Sequence, residues 1–582
     1  MRRDFQPGSL AESGATTHVR SQGRAAFPLL RAKPCVSLFS LMLGLLALQG
    51  CHASPDDAAG QAKELEDPVR RQNALYNLRT LYSKASSSAK GTDAKKALTD
   101  TVIGPLVKVY VDHPEDNQNG MVALNLLGEM HDARALPAFL KALDWRPEVS
   151  EEHAVRAAEA IAGLQIPPGE KAKTIAALDQ AYGKISGARP IDGRMREAII
   201  NALGSIPDPG SAQVLAKIAI STEGNQSFDK NRLAAFRLGA MADSSAIPSM
   251  IHALFLADPN NPGLRMSDVA AGVLVAIGRP ALAPVLKVQS GQDAQANAWA
   301  KALVDQVKRK SKGAGDLDPR EITATEGSFV LGMLGFPEAL EPLLKESKEK
   351  NWSRRVAAAF ALARLNVDAK ELIKIRDAMR AVYKDASVEL RPRLLGAMRQ
   401  LYDPAVMSVF LDEAKGGEKV HPVVRLEAVA SYALLANKQE AEQLRAFIRT
   451  EPPSEEGGYR EKFSENEPLL KAADRCNEDL GCWERLVSSG DNAARRKAAF
   501  MLGRYGRGRA SSLQALTKTL DHPSIEVRMA GLLALDRAAV KGSPEAVAKI
   551  DELKKKEAGK AIWSKFESEA LPVQARLRAR AK

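Results

Sequence analysis

Asn231–Leu254 reads NRLAAFRLGAMADSSAIPSMIHAL. Apolar residues fall three and four apart up to a Leu-Gly pair, a short polar turn follows, and a second apolar stretch opens on Pro248. Such spacing lays an apolar stripe down one face of a helix, so the segment predicts a helix pair. The same order of features returns in MVALNLLGEMHDARALPAFLKAL from Met121 and MREAIINALGSIPDPGSAQVLAKI from Met195. It returns again in FVLGMLGFPEALEPLL from Phe329 and RRKAAFMLGRYGRGRASSLQALTKTL from Arg495. Gly128, Gly163, Gly204, Gly239, Gly278, Gly335 and Gly503 are expected to mark the turns, because glycine just past a helix end accepts the left-handed conformation. Ala363, Arg399, Leu435 and Asp536 hold the equivalent place in less regular copies. Pro137, Pro248, Pro284 and Pro342 are expected in the first turn of second helices, where a missing amide costs nothing. Most marks stand about 28 to 41 residues apart, the spacing of a repeat architecture.

One helix pair cannot bury its own stripe, so copies must stack into a solenoid. Alanine holds the inner positions (Ala123, Ala198, Ala235, Ala358, Ala428, Ala498, Ala530), which lets helix backbones approach closely. Strand-like alternation is nearly absent and aromatic residues make up only 5% of the chain, so the expected fold is all-α. An arginine recurs near the start of many first helices: Arg156, Arg196, Arg232, Arg355, Arg393, Arg425, Arg496 and Arg528. DHPSIEVRMAGLLALDRAA, from Asp521, shows the unit most clearly. It resembles a HEAT repeat of the phycobilisome-lyase-like subtype, over residues 119–557. That resemblance implies an α-solenoid in which the recurring arginines form a structural ladder between neighbouring turns. It brings no residue of the bilin lyases that can be carried over to this chain.

The amino-terminal part has a different character. Arg31 and Lys33 precede an uncharged run, Val36 to Gly50, that is shorter than the roughly 18 residues of a spanning helix. A basic flank, a short apolar core and small residues describe an export signal. Leu48, Gln49, Gly50 and Cys51 resemble the lipobox of bacterial lipoproteins. That resemblance implies cleavage before Cys51, a lipid-modified cysteine and attachment to a membrane through its acyl chains. Met1 to Leu30 is longer than such a signal needs, and translation is expected to start later, near Leu29 or Leu30. His52 stands where aspartate retains many lipoproteins at the inner membrane, so the outer membrane is the favoured destination. Residues 1–50 hold six basic side chains (Arg2, Arg3, Arg20, Arg24, Arg31, Lys33) and two acidic ones (Asp4, Glu12), so a net charge of +12 becomes +8 after cleavage. An exported chain does not meet nucleic acid, and none is expected as a partner.

The expected layout is a signal peptide over 1–50, a lipid-attached tether over 51–67 and irregular cap helices over 68–118. The solenoid follows over 119–557, with loops near 308–320 and 451–468, and a basic cap or tail fills 558–582. Both loops are expected to be solvated linkers. No HExxH, GxSxG or P-loop pattern occurs, and no His-Glu pair of the kind that di-iron HEAT-like hydroxylases use. The histidines have no metal-ligand spacing, so no catalytic residue, metal or cofactor is expected. GRYGRGR is the one candidate anion site: Gly503, Gly506 and Gly508 expose amides and Arg504, Arg507 and Arg509 add charge before a helix expected near Ala510. Cys476 and Cys482 are expected to pair in an oxidising compartment. Along an intact helix they would be about 9 Å apart, beyond the roughly 4.4–6.8 Å of a disulfide, so the helix is expected to break at Gly481. Together these features suggest a lipid-anchored, non-catalytic scaffold in the bacterial envelope that binds protein partners along a concave face. The alternative is a lyase-type enzyme or a receptor for a small anion, with a pocket between repeats.

Overall fold

The computed structural model describes residues 53–87, 91–145, 150–222, 227–310 and 317–581, so Leu48, Gln49, Gly50 and Cys51 lie outside the described residues. The protein is an all-α solenoid of stacked HEAT-like helix pairs. First helices pack on first helices along the chain: Asn117–Met130, Glu151–Ala162, Pro190–Ser205, Phe228–Met241 and Ser267–Ile277 form the leading arch. Pro319–Leu334, Trp352–Leu362, Arg391–Arg399, Pro422–Leu435, Asn492–Tyr505 and Ile525–Ala538 continue the layer. Second helices such as Leu136–Leu143, Pro209–Ile220 and Ala510–Thr519 cover its outside. All seven alanines read as inner positions are buried, none more than 5% exposed.

The array curls back on itself. The last helix, Ala561–Arg580, packs against Ile525–Ala538 and Pro544–Glu557, and also against Pro319–Leu334 and Ser267–Ile277, far earlier in the chain. Trp563, Phe566, Ala570, Val573 and Leu577 are buried along it at helical spacing. The segment read as a basic cap or tail is a closing helix, with Arg576 and Arg580 turned inward and Arg578 left exposed.

The turn glycines need a different account. Gly128, Gly204, Gly239 and Gly503 lie inside their helices, and only Gly278 and Gly335 of the seven have positive φ. Left-handed stops are made instead by His131, Ala242 and Tyr402. What Gly204 and Gly503 supply is room: a Cβ on Gly204 would meet Arg237, and one on Gly503 would fall 2.5 Å from the Tyr402 ring. Pro137 and Pro248 sit in the first turn of their helices, but Pro284 lies within Arg279–Ser290, whose first turn holds Pro280.

Segments read as linkers are folded. Ala53 donates its amide to Glu64 at 2.8 Å and Ala58–Glu64 is helical, so the expected tether is part of the cap from its third residue. Lys308, Arg309 and Lys310 finish a helix, Ala294–Lys310. Within 451–468, Glu451 is buried against Arg425 at 2.6 Å, because a buried guanidinium at that place requires a counter-charge. Arg460–Ser464 forms a further short helix there.

Cys476 and Cys482 are joined, with Cα atoms 5.3 Å apart. The break falls earlier than Gly481: Glu467–Cys476 ends on Asn477 at φ 48°, and Gly481 lies in the next helix, Leu480–Ser489. The indole of the fully buried Trp483 holds the stop by donating to the Asn477 carbonyl at 2.7 Å. Replacing both cysteines with serine should lower stability by about 2 kcal/mol, the entropy of a loop this short. Thermal unfolding with and without reductant checks this; an unchanged melting temperature would mean that the Trp483 contact alone fixes the turn.

Where the cap meets the first repeats, a buried histidine sets a pH dependence. His153 Nε2 lies 2.9 Å from the Asn117 carbonyl, which can only accept, so Nε2 carries the proton and Nδ1 accepts from the Tyr110 hydroxyl at 2.9 Å. Burial holds its pKa below the ordinary value. Below pH about 6.5 the unfolded chain takes up a proton that the folded chain refuses, so stability is full above that value and falls with pH beneath it. Burial acts on His252 in the same direction. Denaturant midpoints should drop between about pH 7 and pH 5, and His153→Gln should flatten that slope; an identical slope would contradict the assignment.

Candidate functional site

The arginine ladder resolves into two registers. Side chains eight residues before the repeat mark reach back to carbonyls at the end of the preceding helix or the turn after it. Arg196 donates to Ile185 at 3.0 Å, Arg391 to Ala386 at 3.2 Å, Arg495 to Gly490 and Arg528 to His522. Asn231 does the same for Ile218, Ala219 and Ser221. Arg425 caps Ala414 at 3.0 Å, and Arg71, in the cap, serves Leu65 at 2.9 Å. Helix ends carry orphan carbonyls and about half a negative charge, so a cation there both satisfies and neutralises them.

The second register, one residue later, bridges to the next repeat. Arg232 meets Asp268 at 2.8 Å and Arg496 meets Glu526 at 3.1 Å, and Arg355, although eight residues before its mark Ala363, bridges likewise to Asp385 at 2.7 Å. Arg425 and Arg528 also pair with Glu451 and Glu557, each at 2.6 Å. Arg156 departs from both registers, pairing within its own helix with Glu159, and Arg393 lies over the Phe360 ring. The exposed pairs add little individually, roughly 0–1 kcal/mol each. The buried ones fix the register of the stack.

GRYGRGR is not an open anion site. Gly503 belongs to the helix Asn492–Tyr505, and Arg504 is buried against Glu440 at 2.7 and 3.0 Å. Arg507 donates to Asn366 and to the Val367 carbonyl at 3.0 and 2.8 Å, across the curled array. Gly506 ends its helix at negative φ, Gly508 takes φ 77°, and only Arg509 is exposed, just before the helix that starts at Ala510. Two of the three arginines are thus spent on stitching distant turns together.

That stitching converges on one place. First-layer helices bring their carboxyl ends to the centre of the closed part, and long side chains meet there. Asp536, 14% exposed at its side chain, takes Arg576 at 2.6 Å and also pairs with Arg580. Arg576 passes over Gly335, where a Cβ would block it, to reach the Met333 carbonyl. Arg364 meets Glu569 at 3.1 Å, and Arg537 reaches the Leu365 carbonyl at 3.4 Å. Near the Arg504–Glu440 pair, Lys497 is buried and donates to the carbonyls of Ala433 and Ala436.

Arg364, Arg507, Arg537, Arg576 and Arg580 face Asp536 and Glu569 here, with Asp368 acting on Arg507 and Asp403 on Arg537 from the edge. Carbonyls of three helix ends, at Met333, Leu365 to Val367, and Asp536 to Ala539, accept from these arginines. Each such end carries about half a negative charge, which adds to the counter-charge. Burial pushes the Arg537 guanidinium down to about 10, and neighbouring Arg507 acts the same way. Burial raises the Asp536 carboxyl, but Arg576 and Arg580 outweigh it and leave it below the ordinary range. Burial, then Arg504, holds Lys497 well below the usual lysine value. The cavity among these groups encloses about 30 Å3, water-sized rather than substrate-sized. None of this centre is marked by a sequence motif, because its members come from first helices, the turns after them and the closing helix, far apart in the chain.

Among the described residues no group of three or more His, Cys, Asp or Glu side chains is placed to hold a metal ion, and no helix is long and apolar enough to cross a membrane. Geometry therefore defines a HEAT-like α-solenoid with a polar structural hub. The family model described as HEAT repeats matches residues 483–561. No curated protein matches the chain. Among solved structures, an engineered protein is similar at 18% identity, with 91% of this chain and 100% of that one covered and a TM-score of 0.22. The karyopherin Kap121p bound to the SUMO protease Ulp1p is similar at 13% identity, covering 84% of this chain and 58% of that one, with a TM-score of 0.37. Kap121p alone gives 15% identity, 88% and 51% coverage and a TM-score of 0.34. The chain thus spans little more than half the length of those karyopherin chains.

Proposed function

We propose that the protein is a lipid-anchored, non-catalytic scaffold of the bacterial cell envelope, attached through acyl chains on Cys51 and favouring the outer membrane. The observation that carries the scaffold is where the charged groups go. The convergent cluster at the centre leaves only a water-sized space, whereas the first helices from Asn117 to Ile277 keep exposed side chains such as Glu159, Glu197 and Phe236. The lipobox-like Leu48–Cys51 and the paired cysteines support the envelope. Partners are expected to be envelope proteins that bind along the arch, with the acyl anchor raising their effective concentration at the membrane.

Affinity capture of the full-length protein from detergent-solubilised envelopes tests this, with Cys51→Ala alongside. A near-stoichiometric envelope protein on the wild type is the expected result. Folded, acylated protein that captures no partner would overturn it.

A further inference from the structure

Val69 and Tyr76 are 87% and 70% exposed, while the other exposed large apolar side chains of the described residues lie between 41% and 53%. Both belong to the cap. Tyr76 stands on the helix Arg71–Ser87, and Val69 lies in the turn that leads into that helix. That helix contains Arg71, Arg79 and Lys84 and no carboxylate, and Arg79 is exposed beside Tyr76 one turn on.

The start of the folded chain is tied to this helix. Gln61 donates to the carbonyls of Ala53 and Ser54 at 2.9 and 3.1 Å and accepts from Asn77, the neighbour of Tyr76, at 3.0 Å. Lys84 meets Asp56 at 3.3 Å. Cys51 is two residues from Ala53, so their Cα atoms are at most about 8 Å apart. A helix with its side chains is about 10–12 Å across. An acylated Cys51 has no spacer with which to hold the cap away from the lipid.

We propose that the face formed by Val69, Tyr76 and Arg79 lies directly on the membrane surface, with the two apolar side chains at headgroup depth and the guanidinium on lipid phosphate. This rests on the acylation of Cys51 proposed above. Tyrosine suits that depth because its ring is apolar and its hydroxyl stays wet. The acyl chains on Cys51 hold the protein at the bilayer, and contact through this face adds to that attachment. It also fixes the orientation of the solenoid, so that the arch projects from the bilayer rather than tumbling on a leash.

The test is hydroxyl-radical footprinting of the acylated mature protein on vesicles of phosphatidylethanolamine and phosphatidylglycerol, against the soluble Cys51→Ser form. Modification of Tyr76 should fall several-fold on vesicles, and that of Phe236, on the arch, should not change. Equal Tyr76 rates in both samples, with mass spectrometry showing an acylated Cys51 and the protein floating with the vesicles, would overturn the face while leaving the anchor intact. An unacylated Cys51 in protein taken from membranes would overturn the anchor, and this proposal with it. Protection of Tyr76 only in the presence of a co-purified protein would make the face a protein interface and overturn the membrane assignment.

Discussion

Asp536→Asn should lower the unfolding free energy by about 3–5 kcal/mol, the cost of removing one partner from a buried ion pair. The carboxylate is the shared counter-charge of Arg576 and Arg580, and its loss leaves both guanidinium groups inside the array, with Arg507 and Arg537 close by. An amide of the same shape keeps one acceptor and none of the charge. Asp536→Leu with Arg576→Met should recover part of the loss, since two well-packed apolar residues can replace a buried pair. The same carboxylate has a pH signature. Its folded pKa lies below the unfolded value, so its contribution is complete above about pH 4 and disappears as pH falls through the folded value. Chemical denaturation of the Asn variant checks the size; a change under 1 kcal/mol would show that helix-end carbonyls alone balance the arginines.

Phe566→Ala should cost about 3–5 kcal/mol, the range for truncating a buried aromatic ring. Phe566 is fully buried on the closing helix, edge-on to Trp563 with ring centroids 6.0 Å apart. In an open array, end helices fray and truncations there are cheap. A large cost this near the carboxyl terminus therefore requires that the helix be sandwiched. A loss below 1 kcal/mol would place Phe566 at a free end.

Repetition is legible because an alanine stripe and a Leu-Gly pair recur at a steady interval, and the all-α solenoid follows from them. Which arginine does which job is not. Spacings of seven and eight residues from the mark look alike in sequence, yet one residue turns a helix by about 100°. Arg232 and Arg496 consequently face the next repeat, while Asn231 and Arg495 face the helix behind. Asparagine at 231 hides the inner register further, since it does the work of an arginine with a shorter side chain. GRYGRGR shows the same limit: glycines and arginines describe an anion loop until Glu440 and Asn366, 64 and 141 residues away in the chain, come to meet it. Closure was equally hidden. Trp563, Phe566, Ala570, Val573 and Leu577 announce an apolar face, but nothing near them in sequence names Ser267–Ile277 as the surface that receives it.

Hydrogen exchange on the mature chain shortened after residue 560, compared with the complete chain, probes that closure most directly. If the last helix closes the array, amides of Ser267–Ile277 and Pro319–Leu334 lose protection along with Ile525–Ala538, while Glu151–Ala162 and Pro190–Ser205 keep theirs. Loss confined to Ile525–Ala538 and Pro544–Glu557, with Ser267–Ile277 unchanged, would describe an open solenoid with a frayed end and contradict the closed one.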